Sequence, residues 1–307
     1  NILMVDKNPD EPFAQSSQVI ALKANPGDIS TQSFLWNEQH TLYVWLKQTN
    51  LTREIYYQLL DNQGNSLLEE EGKPLFKPID CQNLLETFKD EEGNFYIVWA
   101  NTPHYNLSQY AYFSDVEAPD REIEYKTYIQ KINGQTGELM YPDKGIVLFP
   151  DNTYPQMITR NNEQYFYFYK YNSIGRSYDI YMQKFANDAV QWDMEGRLIL
   201  ENTPGDTYYF QLPCPGENVI LKVNTNKDIY KLYRSDSEGN LAENWPADGV
   251  EIFRNSDNMS PVISVWHQQN TFLCVIAYNS NQVFYTVLDE NGNILKNKEL
   301  LIYSDDD

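Results

Sequence analysis

KTYIQKINGQTGELMYPDKGIVLF, residues 126–149, is one of five similar segments that decide the fold class of this chain. A strand rich in aromatic and β-branched residues is followed by an Asn/Gly turn, a leucine and a second strand opened by glycine. The other four copies occupy residues 54–76, 179–200, 228–253 and 282–303. Self-similarity of this kind indicates one supersecondary unit repeated along the chain.

A second hairpin precedes each copy, so the repeating unit has four strands. Examples are SFLWNEQHTLYVWLK from Ser33 and QMITRNNEQYFYFYK from Gln156. Apolar residues alternate or cluster over strand lengths, and no segment has a helical period. Repeated four-stranded antiparallel units pack face to face around an axis, because a closed ring protects sheet edges. The sequence therefore predicts an all-β, five-bladed β-propeller in one domain, with blades at residues 32–77, 83–149, 155–200, 208–253 and 261–303.

The N-terminal segment, residues 1–31, contains one further strand-like stretch. Residues 19–22 (VIAL) and the polar turn after them resemble the end of a preceding unit. We expect this strand to join the last blade and close the ring, which removes a sheet edge. The alternative is that a blade is missing upstream.

The charge and the chain ends bear on partners and location. Lys and Arg number 23 against 44 Asp and Glu, which gives a net charge of −21. Such a field disfavours nucleic acid and anionic membrane surfaces, and no apolar run has the length of a membrane span. The chain starts at Asn1 and ends in SDDD, so we expect a processed part of a larger multidomain protein.

The three cysteines predict no disulfide framework. Cys274 lies in a strand pattern and is expected to be a small core residue. Cys81 and Cys214 are predicted to lie in loops, either unbridged or bridged to each other.

The strings DIYMQKF (residues 179–185) and DSEGNLAENWPADGVEIF (residues 236–253) resemble a repeat of large secreted bacterial proteins, diyaQridadGnxLW…G…v. In such proteins a propeller is commonly followed by fibronectin-like modules and a C-terminal sorting domain. The resemblance implies a secreted or cell-surface bacterial protein and carries no catalytic motif over. The chain departs from this repeat in two ways. Residues 185–193 lack the turn glycine, and the tryptophan that follows the leucine of the repeat is present only around Trp192 and Trp245.

The second unit carries a long insertion between its second and third strands, residues 101–125. Loops of this length are usually functional, and tyrosine rings suit a sugar face or a partner protein. The residues that we expect to contact a ligand are His104, Tyr105, Tyr110, Tyr112, Phe113 and Asp115. The alternative is that these side chains pack the loop back onto its own blade.

One aspartate recurs shortly before each predicted inner strand: Asp28, Asp80, Asp151, Asp206 and Asp257. Together they would form an acidic ring that suits calcium, the one cofactor that the sequence suggests. The alternative is that each carboxylate caps a turn. The turns DNQGN (residues 61–65) and DENGN (residues 289–293) are interpreted as hairpin turns, because they lack the further acidic ligand of a calcium loop.

Catalytic motifs find little support in the sequence. The three histidines have no zinc-binding spacing, and there is no nucleophile elbow or P-loop. A propeller glycosidase needs two carboxylates, whereas Glu86 is the only acidic residue in the predicted inner strands. The sequence thus predicts a non-catalytic extracellular binding or adhesion module for a glycan or protein ligand. A glycoside hydrolase and a structural spacer are the alternatives.

Overall fold

The computed structural model describes residues 2–5, 18–21, 29–48, 53–69, 71–76, 81–102, 126–150, 155–173, 177–202, 208–212, 214, 217–224, 229–254, 262–279 and 282–303. The regular elements in these ranges are all β-strands. No helix suited to crossing a membrane occurs among these residues.

Five antiparallel sheets follow one another along the chain, each with four strand positions. The first contains β3 (Ile29–Trp36), β4 (His40–Gln48), β5 (Arg53–Asp61) and β6 (Lys73–Pro74). The second contains β7 (Cys81–Lys89), β8 (Phe95–Thr102), β9 (Thr127–Ile132) and β10 (Ile146–Phe149). The predicted all-β class and four-stranded repeat are confirmed.

The other three sheets have the same order. The third contains β11 (Gln156–Arg160), β12 (Glu163–Asn172) and β13 (Ser177–Ala186), and its fourth position is shared by β14 (Ala189–Val190) and β15 (Arg197–Leu200). The fourth contains β16 (Tyr208–Gln211), β17 (Val219–Asn224), β18 (Ile229–Arg234) and β19 (Val250–Arg254). The fifth contains β20 (Val262–Gln268), β21 (Thr271–Asn279), β22 (Gln282–Asp289) and β23 (Ile294–Tyr303).

The N-terminal strand exists, but its partner differs from the expected one. β2 (Gln18–Ala21) pairs antiparallel with β1 (Ile2–Val5) in a two-stranded sheet. The fifth sheet takes its four strands from residues 262–303. Closure of a ring by residues 19–22 therefore stays a prediction.

The chain divides into two compact units, Asn1–Thr153 and Tyr154–Asp307. In the first unit, side chains from the first and second sheets share one core, with Leu42, Tyr57, Ile97 and Trp99 among its buried members. In the second unit, one core lies between the third and fourth sheets and another between the fourth and fifth. Consecutive sheets within each unit thus pack face to face, because both faces of the central strands are apolar.

Four turns share one hydrogen-bond pattern. In each, an aspartate Oδ1 accepts the backbone N–H of an asparagine four residues later at 2.8–2.9 Å, and that asparagine's amide donates to Oδ2 at 2.8–3.2 Å. The pairs are Asp61–Asn65, Asp90–Asn94, Asp236–Asn240 and Asp289–Asn293. These bonds occupy the carboxylates and lower the pKa of Asp61 and Asp289. The interpretation of residues 61–65 and 289–293 as hairpin turns is confirmed.

The cysteines bear out one expectation and correct another. Cys214 and Cys274 are free and buried in the core between the fourth and fifth sheets. The alternative of a bridge between Cys81 and Cys214 is therefore wrong. Cys81 does not lie in a loop but opens β7, where it pairs with Thr102, because the strand extends two residues beyond the predicted blade boundary.

Candidate functional site

The predicted site residues lie outside the residues that the structure describes. This holds for the ligand contacts of the insertion, His104, Tyr105, Tyr110, Tyr112, Phe113 and Asp115, and for the aspartates of the calcium ring, Asp28, Asp80, Asp151, Asp206 and Asp257. Among the described residues, a candidate surface lies in the second unit, between the third and fourth sheets.

A row of four tyrosines runs along β12 on the side that faces the fourth sheet. Tyr165, Tyr167, Tyr169 and Tyr171 alternate with other residues in EQYFYFYKYN, and alternate residues of a strand share a face. The exposed fraction rises from 1% and 0% at Tyr165 and Tyr167 to 56% at Tyr171. We call these residues the tyrosine row.

The inner part of the tyrosine row is fixed to the fourth sheet. The Tyr167 hydroxyl and the Ser235 hydroxyl are 2.8 Å apart, and burial raises the pKa of Tyr167. The Tyr169 ring meets the Phe210 ring edge-on with centroids 4.6 Å apart, and the Tyr169 hydroxyl accepts the backbone N–H of Phe210. These tyrosines are structural, and the two ends of the row remain as candidates for ligand contact.

The exposed end of the row is an aromatic pair. Tyr171 on β12 lies opposite Tyr178 on β13, with ring centroids 5.2 Å apart, and the two side chains are 56% and 55% exposed. The buried carboxylate of Asp179 accepts the Asn172 amide and the Asn202 backbone N–H, each at 2.9 Å. The Tyr171–Tyr178 pair lies at the end of the third sheet where its second and third strands connect. In the second sheet, the insertion that the sequence predicts to contact a ligand connects the same two strand positions. Two such rings offer amphipathic area for a sugar ring or a protein side chain.

The other end of the row opens into a cavity of about 340 Å³. It lies between the turn that joins β11 to β12 and the turn that follows β18. We call it the arginine cavity, and its lining is Arg160, Asn161, Glu163, Tyr165, Arg234, Ser235, Asp236, Ser237 and Ala242.

A charged cluster lies beside the arginine cavity. Glu217 Oε2 is 3.7 Å from Arg160 Nη1 and 3.6 Å from Arg234 Nη2, and Glu217 Oε1 is 3.1 Å from His267 Nδ1. The other ring nitrogen of His267 lies 3.3 Å from Glu290. Within the described residues, no group of three or more Asp, Glu, His or Cys side chains could hold a metal.

Glu86 is the residue on which a hydrolase would depend. It lies on β7, an inner strand in the predicted propeller, and burial raises the pKa of its carboxyl. A protonated carboxyl can act as a general acid, but glycoside hydrolysis needs a second carboxylate about 5–10 Å away. The described first strands of the five sheets contain no other carboxylate, so Glu86 has no partner there.

Neither end of the tyrosine row is among the residues that the sequence pointed to as a site. The alternation of tyrosines at residues 165–171 was the available signal for the row. The cavity had no comparable signal, because its two arginines belong to different sheets.

No protein-family model and no curated protein match the chain. Among solved structures, a prolyl endopeptidase aligns with a TM-score of 0.50 and 10% identity over 91% of this chain and 36% of its own. A puromycin hydrolase aligns with the same TM-score and identity over 94% of this chain and 40% of its own. The chain thus spans less than half the length of either protein. At this identity the likeness shows the fold alone, and these neighbours contain β-propeller domains.

Proposed function

We propose that the chain is a non-catalytic binding module of a secreted or cell-surface bacterial protein. Its ligand is a glycan or a protein, held at the end of the sheets where second and third strands connect. The observation that carries this proposal is the pair Tyr171 and Tyr178, each of which is more than half exposed. Exposed aromatic rings on a rigid strand offer contact area at low entropic cost.

The insertion, residues 101–125, is proposed as a separate contact element of the first unit. It connects the second and third strands of the second sheet, β8 and β9, as the short connection beside Tyr171 does in the third sheet. The resemblance to secreted bacterial repeat proteins supports the proposed location.

A glycan array and a pull-down from bacterial surface extract test the proposal. The double variant Tyr171→Ala/Tyr178→Ala should lose capture at least tenfold while keeping the melting temperature, because neither ring is buried. Leu198→Ala is the matched control, since Leu198 is 46% exposed on the same sheet. Unchanged capture by the double variant contradicts the proposed contact. If the wild-type chain captures no ligand, the structural-spacer alternative is favoured. If it releases reducing sugar from a glycan, the glycoside-hydrolase alternative is favoured.

A further inference from the structure

The carboxylates that line the arginine cavity are already occupied. Glu163 accepts the Tyr165 hydroxyl at 2.5 Å and lies 2.8 Å from Lys184 Nζ. Asp236 accepts two backbone N–H groups and an asparagine amide within its own turn. Both carboxylates are therefore engaged with partners inside the protein.

The two arginines of the cavity make fewer hydrogen bonds than its carboxylates do. Among the described residues, the carboxylate within ion-pair range of Arg160 is Glu217, whose oxygen at 3.7 Å lies beyond hydrogen-bond distance. Arg234 donates from Nη1 to the Glu290 carbonyl at 3.3 Å, and its Nη2 is 3.6 Å from Glu217. The Glu217 oxygen that both guanidinium groups approach is buried and has no hydrogen-bond partner among the described residues. Among the described residues the Arg160 side chain makes no hydrogen bond and the Arg234 side chain makes one, so both guanidinium groups keep N–H donors for a ligand.

We propose that the arginine cavity binds a small hydroxylated carboxylate the size of one acidic monosaccharide. Arg160 and Arg234 hold its carboxylate, because guanidinium groups match a carboxylate with paired N–H donors. Asn161 and Ser237 also line the cavity, and their side chains supply hydrogen-bonding groups suited to ligand hydroxyls. A volume of about 340 Å³ is at the lower end of the range for small-molecule sites.

This site is separate from the one in the proposed function and does not depend on it. Tyr165 and Tyr171 are six residues apart on one strand, which places the two ends of the row about 20 Å apart. The lining holds two arginines and two carboxylates on a chain of net charge −21, so an anion bound there would be held by the placed guanidinium groups and not by a general positive field.

Ligand-observed NMR and calorimetry on the full chain test the proposal, with glucuronate, glucose, acetate and sulfate as probes. We expect glucuronate to bind, glucose to bind at least tenfold more weakly, and added salt to weaken glucuronate binding. Acetate should bind more weakly than glucuronate, because it lacks the hydroxyls. The proposal is overturned if glucose binds as well as glucuronate, if sulfate is preferred to both, or if no probe binds.

Variants of the cavity and one control variant locate the binding. Arg160→Gln should weaken glucuronate at least tenfold, and Arg160→Lys should restore part of the loss. Arg254→Gln is the control, because Arg254 is an exposed arginine of the fourth sheet that is paired with Glu251. Should Arg160→Gln fail to fold, Ser237→Ala tests the same cavity at a turn residue. Glucuronate binding that survives both Arg160→Gln and Ser237→Ala places the ligand elsewhere and refutes the assignment.

Discussion

The buried side-chain amide of Gln130 donates from Nε2 to the backbone carbonyl of Tyr141 at 3.2 Å. Its oxygen accepts the backbone N–H groups of Lys131 at 2.9 Å and Tyr141 at 3.1 Å. Gln58 and Gln183 hold the same position in the first and third sheets, and their amides donate to the carbonyls of Glu69 and Asp193. One glutamine thus ties the third strand of a sheet to the segment that leads to the fourth.

Gln130→Leu should therefore destabilise the protein by about 2–4 kcal/mol, because it removes the three hydrogen bonds between the buried amide and the backbone of Lys131 and Tyr141. Chemical denaturation measures the change. Gln135→Leu is the control, since Gln135 is exposed in the neighbouring turn. If the two variants are equally stable, the Gln130 amide makes no net contribution to the free energy of unfolding.

The glutamine also shows how far the sequence predicted the fold. The repeated strands and D-x-x-G-N turns are local signals, so the four-stranded unit was predictable. In the fourth sheet Leu232 replaces the glutamine, and the Trp245 indole donates to its carbonyl at 3.2 Å, so the fold survives the change. Two features were not predictable from the sequence: the pairing of β2 with β1, and the proximity of Arg160 to Arg234. Both depend on tertiary packing, and no local sequence pattern indicates them.

Gly145→Ala should destabilise the second sheet strongly. Gly145 has φ of +99°, and a Cβ there would lie 2.2 Å from the Ile129 carbonyl oxygen. We expect a loss of about 2 kcal/mol or more in thermal or chemical unfolding. Gly93→Ala is the comparison, because its φ is also positive but the nearest atom is a side-chain amide at 3.2 Å. A loss at Gly145 no larger than that at Gly93 would contradict a steric clash with the backbone.

The two core cysteines should resist alkylation in the native protein. Burial raises the pKa of Cys274 to about 12, and burial together with the charge of Glu217 raises the pKa of Cys214. Because the thiolate is the reactive form, iodoacetamide at pH 8 should modify neither thiol until denaturant is added. Mass spectrometry on a Cys81→Ser variant measures this without interference from the third cysteine. Rapid native labelling of either residue would contradict the buried assignment.

Acid should weaken the first unit through Asp90. Burial opposes ionisation of Asp90, but hydrogen bonds from Asn94 and the bond and charge of Lys131, 3.2 Å away, outweigh it and lower the pKa. A carboxyl whose pKa is lower in the folded state than in the unfolded chain stabilises the fold above the unfolded pKa, about 3.9. That contribution disappears as the pH falls through the folded pKa.

Asp90→Asn should therefore cost about 1–3 kcal/mol at pH 7, and its difference from the wild type should shrink towards pH 2–3. Urea unfolding at a series of pH values measures both effects. Glu138→Gln is the control, because Glu138 is an exposed carboxylate in the same unit. A second variant, Lys131→Met, separates the ion pair from the turn: Asp90→Asn should cost less in that background, since the charge partner is already absent. A difference between Asp90→Asn and the wild type that stays constant from pH 7 to pH 3 would show that ionised Asp90 does not stabilise the fold.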